Sequence, residues 1–174
     1  MDLREKKTKR SIHNAFLELR AKKPLERITI KELTELAEIS KATFYLHYKD
    51  IYDLSETLQQ EVISNVLTSV SNIEHIKTSP PNFTRELFYS FLTHEHLIDI
   101  LFSGAQASIL PTSVEKAIKE TYFSLSPELK NNALANIQLT YQILGGYYAY
   151  SQNRKRFGDE FTIDMIDTIT RKLT

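Results

Sequence analysis

Between Asp50 and Val70 an apolar residue returns at every fourth position, as Leu54, Leu58, Val62, Val66 and Val70, with Ile51, Ile63 and Leu67 beside that row. Residues four apart stack on one side of an α-helix, so the run predicts a single long helix with an unusually wide apolar stripe. A stripe that wide has two bodies to cover, one near its start and one near its end. The rest of the chain is therefore organised around a connecting helix over residues 51–70, with a small domain before it and a larger one after it. Composition agrees: 4 Gly, 5 Pro, no Cys and no Trp in 174 residues favour long helices over a turn-rich sandwich.

A chain of this length suffices for one or two small domains with a real core. Its 41% hydrophobic and 25% charged residues are those of a globular rather than a disordered protein. Without cysteine there is no disulfide, thiolate metal site or thiol nucleophile. No apolar run approaches the roughly 20 residues of a membrane span, and the N-terminus lacks the apolar core of a signal peptide, so the expected location is cytoplasmic.

The formal net charge is zero, but it is unevenly distributed. Residues 1–49 hold 12 Lys/Arg against 7 Asp/Glu, and residues 50–174 hold 10 against 15. A basic first third on an acidic remainder suits a protein that presents only its first domain to a polyanion. A difference of this size also arises by chance.

Met1–Arg10 is a basic arm with Arg4, Lys6, Lys7, Lys9 and Arg10. It runs into a helix marked by Ile12, Ala15, Phe16 and Leu19, which must end before Pro24. Thr29, with Glu32 three residues on, is a capping box for a short second helix carrying Ile30, Leu33 and Ala37. Glu38-Ile39 leaves room for only a tight turn before Ser40, an N-cap that opens a third helix over Lys41, Ala42 and Thr43. Phe44, and Tyr48 after it, would pin this helix to the domain. Tyr45, His47 and Lys49 carry donors that can reach phosphates on either side of a groove. Asp50, with Asp53 three residues on, caps the connecting helix. Two short helices joined in this way, the second opening with Ser-Lys-Ala-Thr, make a helix-turn-helix. Taken alone, such a helix is more often a solvated surface helix.

The stretch from Ile28-Thr29-Ile30-Lys31-Glu32-Leu33 to Thr43-Phe44-Tyr45-Leu46-His47-Tyr48-Lys49 closely resembles the DNA-binding domain of the TetR family of bacterial transcriptional regulators. The resemblance covers about residues 8–56. It implies an all-α protein in which residues 1–50 form a three-helix helix-turn-helix domain and residues 51–174 a helical bundle for regulation and dimerisation. It further implies that Thr29 abuts a phosphate, that Ser40, Lys41, Ala42 and Thr43 enter the major groove, and that Tyr45, His47 and Lys49 clamp the backbone. Three positions depart from the family pattern. Glu38 stands where the turn has Gly, at a cost of roughly 1 kcal/mol if the backbone there is left-handed. Thr34 replaces Ala, and Ile51 replaces a residue that is basic in some relatives.

After Val70, Ser71 to Asn82 with Pro80-Pro81 reads as a loop. Helical patterns follow at Phe83 to Leu92, Leu97 to Phe102, Ser113 to Phe123 with Ser113 as its cap, Pro127 to about Arg154, and Ile163 to Leu173. Ser126-Pro127-Glu128 is the start signal for the fourth of these. The last two helices, about 127–154 and 162–173, carry more apolar residues than one small core needs, and Gly145-Gly146 permits close backbone approach. The resemblance implies that they form a homodimer interface, although the same residues would also serve an internal core.

Phe88, Phe91, Phe102, Tyr122, Tyr141 and Tyr148 are candidates to line a small-molecule effector pocket, with plain core packing as the alternative. The histidines of His94-Glu95-His96 are two positions apart and point to different faces of a helix, so no metal site is expected. Neither a catalytic motif nor a cofactor motif occurs, so an enzyme is not expected. The functional expectation is a sequence-specific dimeric repressor released from its DNA operator by an effector. The alternative is an effector-independent architectural or protein-partnered DNA-binding protein.

Overall fold

The computed structural model describes residues 3–173, and every regular element among them is helical. Met1, Asp2 and Thr174 lie outside the described residues, as does the side chain of Leu173, which the last apolar row includes. The α-helices are α1 (Leu3–Lys22), α2 (Ile30–Leu36), α3 (Lys41–Tyr45), α4 (Ile51–Thr68), α5 (His75–Thr78), α6 (Pro80–Thr93), α7 (Glu95–Leu101), α8 (Ile109–Leu125), α9 (Ala133–Phe157) and α10 (Asp159–Leu173). Among the described residues no single helix is long and apolar enough to cross a membrane.

The chain divides into two compact units, and the division falls inside α4. The first comprises residues 1–62 and 96–107, the second 63–95 and 108–174. The sequence pattern places the boundary at residue 50 and 96–107 in the second domain. Packing departs from chain order because Gln59 of α4 donates to the carbonyl of Leu101 (3.0 Å) and Arg20 of α1 donates to Ser103 Oγ (2.8 Å).

In the first unit, Ile12, Phe16, Leu25, Leu33, Phe44 and Leu54 form the buried interior, with Tyr48, Ile51 and Leu58 also buried. Thr34 is buried with its hydroxyl satisfied by the carbonyls of Ile30 (2.8 Å) and Lys31 (3.0 Å). Ile51 is core. In the second unit, α10 packs on α6 and α9, and α8 packs on α9. Phe88, Tyr150, Ile163 and Ile166 form a cluster there, with Phe88 and Tyr150 rings 4.8 Å apart. Tyr150 donates to Asp159 (2.6 Å), and Arg154 holds both Asp159 (2.9 Å) and Glu95 (2.6 Å).

Several helix boundaries differ from those the sequence predicts: α4 stops at Thr68, α9 runs on to Phe157 and α10 begins at Asp159. The stretch 71–82 is not all loop: His75–Thr78 makes one helical turn, and Pro80 opens α6, its missing N–H harmless in a first turn. Helix α8 begins at Ile109, so Ser113 lies within it rather than capping it, and Pro111 again occupies the first turn. The signal at Ser126-Pro127 starts only a 3₁₀ turn over Pro127–Leu129. The long helix opens at Ala133, where Asn132 Oδ1 accepts from the Ala135 N–H (3.0 Å).

Candidate nucleic-acid interface

The tip formed by α2, the following turn and α3 is built by side chains that cap short helices. Thr29 Oγ1 accepts from the Glu32 N–H (3.3 Å), and Glu32 Oε2 accepts from the Thr29 N–H (3.2 Å), a complete capping box. Lys23 pairs with the same Glu32, and its hydrogen bond holds that carboxyl below the usual carboxylate range. A seven-residue helix is far too short to persist alone, so caps and burial must supply its stability. At the turn, Glu38 adopts φ +55°, the left-handed conformation that would favour glycine.

Ser40 Oγ accepts from the Thr43 N–H (3.0 Å) and lies 2.8 Å from Thr43 Oγ1. One turn on, Phe44 is completely buried and locks the rotation of α3 about its axis. That rotation leaves Lys41, Ala42, Tyr45 and Leu46 exposed and Thr43 half-buried. His47 is half-buried and Lys49 exposed. Neither Lys41 nor Lys49 makes an ion pair among the described residues, leaving both ammonium groups free for an external anion. Asp50 Oδ1 accepts from the N–H groups of Tyr52 (2.8 Å) and Asp53 (2.9 Å), while Asp53 accepts from that of Lys49 (2.9 Å), so α4 starts where α3's exit loop ends.

Behind the tip, the Tyr48 hydroxyl lies 2.7 Å from His13 Nε2, tying the loop after α3 to α1. Burial pushes the Tyr48 phenol up to about 12 and pushes the His13 imidazole down. Glu61 lies 4.0 Å from the other nitrogen of His13 and opposes that lowering.

All eight residues read as DNA-facing, Thr29, Ser40, Lys41, Ala42, Thr43, Tyr45, His47 and Lys49, lie in this one region, and none is buried. Beside them stand Leu46, 82% exposed, and Tyr52, 55% exposed, which the motif does not mark. A large apolar residue standing outside every helical stripe was the available signal for Leu46.

The six aromatic candidates for an effector pocket differ in their settings. Phe102 is core in the first unit, and Phe88 is core among α6, α9 and α10 in the second. Phe91 and Tyr122 are half-buried, whereas Tyr141 is 68% exposed and Tyr148 is 49% exposed. In the His94-Glu95-His96 stretch, His94 Nδ1 is within 2.8 Å of the Ser90 carbonyl and Glu95 is engaged by Arg154.

No protein-family model matches the chain, and no curated protein matches it.

Proposed function

We propose that this chain is a dimeric, sequence-specific DNA-binding transcriptional regulator of the TetR type, acting as a repressor. The observation that carries the proposal is the α3 tip: one fully buried aromatic fixes its orientation, and its solvent side presents Lys41, Ala42, Thr43 and Tyr45 with the unpaired Lys49 beside them. In this reading α2, the turn and α3 are a helix-turn-helix. Ser40 through Thr43 read base edges in the major groove, and Tyr45, His47 and Lys49 position the protein on phosphates. Thr29 sits at the phosphate-facing start of α2.

The dimer is supported by the second unit. Leu134, Ile137, Tyr141 and Tyr148 are exposed along α9, and Phe161, Met165 and Ile169 along α10. Gly145 belongs to the α9 row, and a Cβ built there would meet nothing within 4 Å. A second copy laid against these rows by two-fold symmetry would cover them and bring two recognition helices to successive major grooves. Helix α4 runs from the first unit into the second and is the element through which an effector that prefers one arrangement would change DNA affinity.

One observation favours a second reading, an effector-independent architectural or protein-partnered DNA binder: of the aromatic candidates, Tyr141 and Tyr148 stand exposed and Phe88 is packed into the core. Selection of bound duplexes from a random pool at near-physiological salt separates the two. Enrichment of one two-fold symmetric motif is the expected result. Salt-sensitive binding without enrichment would favour the architectural reading, and absence of binding would overturn both.

A further inference from the structure

Arg20 is in the last turn of α1 and only 4% exposed, yet no carboxylate among the described residues forms an ion pair with it. Its Nη1 donates to the Lys23 carbonyl (3.0 Å), and its Nη2 donates to Ser103 Oγ (2.8 Å) and more weakly to the Ser103 carbonyl (3.4 Å). Its Nε–H is buried with no partner. A guanidinium withdrawn from water needs an anion or a complete set of acceptors, and here it has neither. The residue lies in the wall of a cleft of about 300 Å³, formed by residues 20–26 on one side and Ser103, Gly104, Ala105 and Gln106 on the other, all within the first unit. Lys22 and Lys23 line the same cleft, paired with Glu18 and Glu32 respectively. Glu26 also lines it, and its field reaches Arg20 from beyond ion-pair distance.

We propose that this cleft binds a small anion, a carboxylate or phosphate group, which supplies the counter-charge that the fold withholds from Arg20. The unpartnered Nε–H is a charge-assisted donor that suits an oxygen of either group. The bound group would bridge the end of α1 and the 103–106 turn, which Arg20 links through its bonds to Ser103. The inference is independent of the DNA-binding proposal.

The test uses the full chain and backbone amide signals, titrated with sodium acetate and with sodium phosphate, with sodium chloride at matched ionic strength as the control. Saturable shifts confined to residues 20–26 and 103–106, produced by acetate or phosphate and not by chloride, are expected. The stronger of the two probes identifies the class of ligand. Arg20→Gln should weaken the response by about tenfold or more. Glu26→Gln, which leaves Arg20 in place and removes the competing carboxylate, should strengthen it, so the proposal stays testable should Arg20→Gln fold poorly. Absence of saturable shifts in the unmodified chain would overturn the proposal. So would an unchanged response in folded Arg20→Gln, or a response that Glu26→Gln fails to strengthen.

Discussion

The α3 tip and the outward side of α9 both leave large side chains in solvent, but they are built in opposite ways. Helix α3 has five residues, held by the Ser40 cap and the burial of Phe44, and its surface mixes ammonium, hydroxyl, phenol and methyl groups. Helix α9 has 25 residues, and no charged residue occurs from Ala133 to Asn153. Its exposed row of Leu134, Ile137, Tyr141 and Tyr148 offers apolar area and little else. A mixed, cationic tip suits a hydrated polyanion, whose phosphates set affinity and whose base edges set sequence preference. An uncharged aliphatic and aromatic row suits a dehydrated protein partner, since the cores of such interfaces are depleted in charge. Under the proposed function the two surfaces take different partners, and separate substitutions should separate them.

The largest expected effect comes from removing the buried anchor of the tip. Phe44→Ala should destabilise the first unit by about 3–5 kcal/mol, measured by urea denaturation, and abolish DNA binding with it. If the first unit kept its stability, Phe44 would not be what orients α3. Tyr141→Glu should leave the fold intact while placing a charge in the middle of the α9 row. Sedimentation should then show a self-association weakened by about tenfold or more, with operator affinity falling in parallel. An unchanged association state would move the interface elsewhere.

Acid should act on the two units at different pH. Burial depresses the folded pKa of His13, so below its ordinary value of 6.5 the unfolded chain binds more protons than the folded one. The stability due to neutral His13 is thus complete above that pH and is lost as pH falls through the folded value. In the second unit Glu115, hydrogen-bonded to Lys119 and Thr140, has its pKa lowered from 4.5, so its contribution persists until pH falls below that. Amide exchange followed from pH 7.5 to pH 4 should show α1 and the Tyr48 loop loosening first, and His13→Gln should remove that early loss. The smallest effect concerns the turn. Glu38→Gly should raise stability by about 1 kcal/mol by relieving the left-handed backbone, with the tip's surface otherwise unchanged. A loss of stability would mean that the Glu38 side chain holds the turn.

Much of this was legible along the chain because the signals were local. Thr29 with Glu32, Ser40, and Asp50 with Asp53 each cap a helix through groups within four residues, and all three motifs form. Leu54, Leu58, Val62 and Val66 lie buried on one face of α4, as four-residue spacing predicts, and Val70 is buried just past the end of the helix at Thr68. Ser126-Pro127-Glu128 misled for the complementary reason: a good local start was followed by Lys130, Asn131 and Asn132, and the stronger cap at Asn132 took the helix.

By itself, the sequence determined the helical character, the order of the short N-terminal helices and the face that α3 leaves free, since these depend on spacing, caps and one buried aromatic. Only the tertiary structure decided that residues 96–107 join the first unit, that Arg20 is buried without a carboxylate, and that Phe88 is core while Tyr141 is exposed. Each of those depends on which helix lies opposite, set by contacts between residues far apart in the chain, and such contacts leave no periodicity to read.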